Sequence, residues 1–182
     1  MSQINIGIDN NANIPLLTQG WLPNGAKIYQ GCLVDDPGVA AANNHMSLFN
    51  PAASGKTLVP LGFVLDSHSI AATTATGSMT IFRTSAASAG TLFAANTVTR
   101  FDPSAADPVG ELRTGNPTVT TTGRVLIGIA PAIFAGGGGS NPAFITPTGG
   151  FPLIPAGTGI VFGTASGDTD QRWNLQLTWM EY

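Results

Sequence analysis

Asn50-Pro51-Ala52-Ala53-Ser54-Gly55-Lys56-Thr57 ends in the Gly-Lys-Thr of a phosphate-binding loop. That loop needs a glycine at its first position, a strand before it and a helix after it. Here Asn50 holds the glycine's place, Pro51 follows it, and Thr57 opens a strand-like run. The segment reads as a surface turn. Asp66-Ser67-His68-Ser69 brings together the residue types of a hydrolase triad. Consecutive strand residues point to alternate faces, so Ser67 and His68 cannot meet as nucleophile and base. No G-x-S-x-G elbow occurs in the sequence.

The remaining candidates are equally bare. His45 and His68 are the two imidazoles, and no carboxylate near them has a recognisable zinc spacing. Asp168-Thr169-Asp170 and the stretch Asp102 to Asp107 hold oxygen ligands, yet neither matches an EF-hand loop. Glycoside hydrolysis needs two carboxylates across a cleft, and Glu111 has no identifiable mate. It lies between Arg100 and Arg113, a segment with five of the chain's 17 charges that reads as a solvated loop. Trp21, Trp173 and Trp179 could stack on sugars, but Trp173 and Trp179 fall on one face of a patterned strand and read as core. The sequence thus assigns no catalytic, cofactor-binding or metal residue, and the expectation is a protein that is not an enzyme.

The elements around these residues are short and pleated. Trp173, Leu175, Leu177 and Trp179 alternate with Asn174, Gln176, Thr178 and Met180, the pattern of a half-buried antiparallel strand. Further strands are expected at Lys27 to Val34, Thr57 to Leu65, Ser78 to Thr84, Val119 to Ile129 and Thr158 to Gly163. In Thr57 to Leu65 the residues Val59, Leu61, Phe63 and Leu65 are placed on one face, with Pro60 opposite and marking an edge or bulge. No segment has a helical period and no repeat is present, so roughly eight strands in an antiparallel jelly-roll sandwich are expected.

Charged residues make up 9% of the 182, where soluble domains average about 25%. Small and neutral polar residues take their place: 23 Gly, 23 Ala and 21 Thr. The run Val125 to Gly167 has 43 residues and not one Asp, Glu, Lys, Arg or His. Its longest apolar piece ends after 11 residues at Gly136, short of the about 20 that cross a bilayer as a helix. The run is therefore expected to divide into buried strands and an uncharged loop, Ala130 to Ala156, held against a neighbouring subunit or shell protein. Net charge is −3 with scattered cations, which excludes the basic stripe of a nucleic-acid binder and the polybasic segment of a membrane-surface protein.

Cys32 is alone, so no intrachain disulfide forms, and the first ten residues lack the pattern of a secretory signal. Folding in a reducing cytoplasm is expected. Residues 1–25 read as an N-terminal arm, rich in turn residues but with Ile4, Ile6, Ile8, Leu16, Leu17 and Trp21 to bury on a partner. Residues 26–182 form the expected jelly-roll domain. Low charge without a disulfide suggests stability gained by oligomerisation.

Two segments carry a resemblance. Phe49-Asn50-Pro51-Ala52-Ala53-Ser54-Gly55-Lys56-Thr57-Leu58 enters a long strand, and Leu153 to Phe162 passes from a Pro-Gly turn to a short apolar strand before the aromatic strand Trp173 to Tyr182. This arrangement resembles small virion proteins of tailed bacteriophages. The resemblance implies a trimeric jelly roll similar to the tumour-necrosis-factor fold. It implies a capsid decoration (cement) protein on the capsid exterior, with the major capsid protein or another virion protein as partner. The alternative it implies is a receptor- or carbohydrate-binding head or tail fibre component. It brings no cofactor and no site residues.

Overall fold

The computed structural model describes residues 25–70, 78–94, 97–129, 143–145, 152–164 and 169–182. The expected arm up to residue 24, Trp21 included, lies outside the described residues, as do Asp168 and most of the expected loop Ala130 to Ala156. The chain is all-β. Its strands are β1 (Lys27–Pro37), β2 (Asn43–Asn50), β3 (Leu58–Ser69), β4 (Met79–Ser88), β5 (Thr91–Leu92), β6 (Thr99–Arg100), β7 (Glu111–Thr114), β8 (Thr118–Ile129), β9 (Ala143–Ile145), β10 (Thr158–Thr164) and β11 (Gln171–Glu181).

They pair antiparallel throughout into two sheets. One has the order β6-β1-β11-β3-β9, the other β5-β7-β2-β10-β4-β8. Their inner faces meet in one core. Tyr29, Phe63, Leu65, Trp173, Leu175, Leu177 and Trp179 come from the first sheet, with Met46, Leu48, Met79, Ile81, Leu112, Ile160 and Phe162 from the second. Phe63 meets Phe162 edge to face across the layers, with ring centroids 5.1 Å apart. This is the packing of a β-sandwich. No helix among the described residues is long and apolar enough to cross a membrane.

The closing strand follows its sequence pattern. Trp173, Leu175, Leu177 and Trp179 are buried while Arg172, Asn174, Gln176 and Thr178 are half-buried on the outer face. In β3 the expected single apolar face is broken. Thr178 pairs with Gly62 but Trp179 pairs with Pro60, so Leu61 is an extra residue in a bulge. The bulge reverses the phase: Leu58, Pro60, Phe63 and Leu65 turn inward, and Val59 and Leu61 do not. Pro60 costs no ladder bond on its far side, because β9 pairs only with Phe63–Leu65.

Three further corrections concern segments read as loop. Ala143–Ile145, inside the expected uncharged loop, is β9. Ile154, in the same stretch, is buried and bridges to Leu58. Glu111–Thr114 is β7, so the expected solvated loop from Arg100 to Arg113 is strand at both ends. The turn at Asn50 is as expected: Ser54 N–H donates to Pro51 O at 3.0 Å, Gly55 has φ +64°, and β3 follows rather than a helix.

Candidate functional site

Chemistry-bearing side chains converge at one end of the sandwich, where two bulges face each other. In β1, Leu33 pairs with Leu175 and Asp36 with Trp173, so Val34 and Asp35 together oppose Asn174. Asp35 takes φ +57°, a conformation that Asp tolerates better than most residues. The extra residue turns the Asp36 carboxylate inward, where plain alternation from Leu33 would have turned it out. In β2, Met46 pairs with Phe162 and Asn44 with Gly163, leaving His45 as the extra residue. Each bulge aims one polar side chain across the layer.

They meet at short range. His45 Nδ1 lies 2.5 Å from Asp36 Oδ2, and His45 Nε2 lies 3.2 Å from Thr164 Oγ1 on β10. A carboxylate only accepts, so Nδ1 carries the proton given to Asp36, and Nε2 shares a hydrogen bond with the Thr164 hydroxyl. Hydroxyl, imidazole and carboxylate thus stand in the order of a nucleophile, a base and its orienter. Access is what the arrangement lacks. His45 is fully buried, Thr164 is 4% exposed, and the Trp173 ring sits 5.7 Å from the imidazole. Such a bridge satisfies its own buried polar groups and ties β1 of one sheet to β2 and β10 of the other.

The residues singled out in the sequence fall elsewhere. Ser67 is buried on the inner face, near Gln171 Nε2 at 3.4 Å, while His68 is on the outer face with Nε2 3.4 Å from Asp35 Oδ1. Alternation along β3 separates them, as expected. On the same outer surface Asn174 donates Nδ2–H to Asp66 Oδ2 at 3.0 Å, and its Oδ1 accepts from Asp35 N–H at 2.8 Å. His45 and His68 therefore serve two different aspartates on opposite faces, and no group of three metal-ligating side chains occurs among the described residues. Glu111 pairs with Arg113 at 2.7 Å. Trp173 and Trp179 are wholly buried, as the sequence implied, so neither offers a ring to a sugar. Cys32 is exposed on β1.

Two further buried groups, Glu181 and Tyr29, have partners that no sequence spacing connects. Glu181 is 4% exposed, and its carboxylate accepts from Val109 N–H, Gly110 N–H and Trp179 Nε1–H at 2.9 to 3.0 Å. Three donors offset the cost of burying that carboxylate and pin the loop before β7. The Tyr29 hydroxyl donates to Ala106 O at 2.9 Å, and burial, then the nearby Glu181, pushes its pKa up. Asp102 accepts from Lys27 Nζ at 2.5 Å and from Ser104, which lowers its pKa to about 2. Comparison with family models, with curated proteins and with solved structures gives no significant match to this chain.

Proposed function

We propose that this chain is a non-enzymatic virion structural protein, a capsid decoration protein that binds the outer shell as a homotrimer. The observation that carries the reading is the strand order. With β5, β6 and β7 set aside, the remaining eight strands in chain order pair as 1-8-3-6 and 2-7-4-5. That order supports two interleaved Greek keys, the plan of a jelly roll. The polar constellation at the bulges is sealed inside the body, which favours a structural role for it.

The outer face of the first sheet supports self-association. Ile28, Met180 and Val59 lie side by side, then Gln30 and Thr178, then Cys32, Gln176 and Val64. None is charged, and depletion of charge marks the cores of subunit interfaces. Mass measurement in solution tests the oligomer: the expected species has three times the 18.6 kDa chain mass. A stable monomer at micromolar concentration would sink the trimer. Co-sedimentation with expanded capsids tests the partner, and protein left wholly in the supernatant would sink the decoration role.

A further inference from the structure

The second sheet carries a cation where its pattern calls for an apolar side chain. Arg83 pairs with Ile160 on one side and with Gly123 on the other. Directly opposed residues of an antiparallel pair share a face, and Ile160 belongs to the core. Arg83 therefore stands on the inward face, yet it is exposed, because the sandwich is open at this end. A Cβ added at Gly123 would meet nothing within 4 Å, which leaves free space beside it.

Next to Arg83 lies a cleft of about 200 Å³. Arg83, Thr84, Ser85 and Thr122 line one side, and Pro152, Leu153, Pro155 and Thr158 are among the residues on the other. Lys27, Arg100 and Arg113 each pair with a carboxylate, Arg124 lies over the Phe82 ring, and Arg172 donates to backbone carbonyls. Among the described residues no carboxylate or other acceptor engages Arg83. An unpaired guanidinium and an apolar wall with Leu153 55% exposed occupy one concave site.

We propose that this cleft binds an acidic sugar unit of an anionic glycan. The guanidinium takes the carboxylate through paired N–H donors, a geometry that lysine cannot supply. The Ser85 hydroxyl, on the same face as Arg83, meets the sugar's hydroxyls, and Pro152, Leu153 and Pro155 cover the apolar face of its ring. The volume suits one monosaccharide, not a chain. This inference does not rest on the capsid reading, and either one can fail without the other.

The test is a titration of the full-length protein with sodium glucuronate, followed by backbone amide shifts, with glucose and sodium sulfate as separate ligands. A lone sugar of this size is expected to bind with a Kd on the order of 1 mM. Glucuronate should shift amides of β4, β10 and residues 152–155, and glucose should bind at least about tenfold more weakly. Arg83→Gln should remove that difference, and Arg83→Lys should restore it only in part. Each variant's melting temperature checks that the fold is intact, and exposed, unpaired Arg83 leaves little stability to lose. Equal binding of glucose and glucuronate, shifts centred elsewhere, or an unaffected Arg83→Gln would overturn the proposal. Sulfate binding as tightly as glucuronate would reduce the site to a bare anion contact and overturn the sugar assignment.

Discussion

His45 and Asp36 behave unequally as partners, and their burial says how. The His45 side chain is fully buried and that of Asp36 is 14% exposed. Asp36→Asn keeps the shape but loses the carboxylate acceptor, at a cost of about 1.5–3 kcal/mol. His45→Ala instead leaves a nearly buried carboxylate with no imidazole and a cavity beside Trp173, at about 3–5 kcal/mol. Urea unfolding of both single variants and the double variant checks this. If the double variant costs the plain sum of the two, the pair is not coupled. Asp102 gives the opposite case, a partly exposed carboxylate whose pKa is lowered to about 2, first by its hydrogen bond to Lys27 and then by Ser104. A depressed carboxylate stabilises the fold above its ordinary pKa and loses that contribution as pH falls from about 4 to about 2. Lys27→Met should move the Asp102 titration up toward 3.8, read from the side-chain carbon shift across a pH series. A midpoint left near 2 would show that Ser104 alone holds it.

At the scale of the strand, close approach of the two layers depends on Gly31 in β1. A Cβ there would run into the Leu112 side chain and meet the Trp179 ring. Gly31→Ala should therefore destabilise by about 1–3 kcal/mol through overpacking, whereas Gly123→Ala, beside open space, should be near neutral. Thermal melts of the two variants compare them directly, and equal losses would refute the packing argument. The positions of β1, β3, β4, β8, β10 and β11 were legible in the sequence, because alternation and apolar runs depend on local pattern alone. The strand β2 was not: Asn43-Asn44-His45 reads as turn chemistry, and only the second sheet makes it pleated. The His45–Asp36–Thr164 bridge was hidden for the same reason. Each bulge shifts the phase by one residue, and a bulge is fixed by its pairing partner rather than by the residue in it. Glu181 was legible as an inward position, but its three donors come from a loop and a neighbouring indole that no spacing connects.

For the whole molecule the sharpest consequence lies on the outer face of the first sheet. Thr178 is half-buried in the middle of that face, between Gln30 of β1 and Gly62 of β3. Its hydroxyl reaches Gln30 Oε1 only at 3.5 Å, so the fold gains little from it. A charge placed there stays hydrated in a free subunit but loses its water in an interface core, a penalty of several kcal/mol per ion. Three symmetry-related copies would each bear that penalty, and like charges gathered near one axis would repel. Thr178→Glu is therefore expected to split the proposed trimer into folded monomers, with the mass falling to a third and the far-ultraviolet circular dichroism unchanged. Ser85→Glu, on an exposed position of β4 in the other sheet, is the control and should leave the mass alone. If Thr178→Glu keeps the full mass, this face is not where the copies meet. If both variants dissociate, added charge alone weakens the assembly and the face has no special part in it.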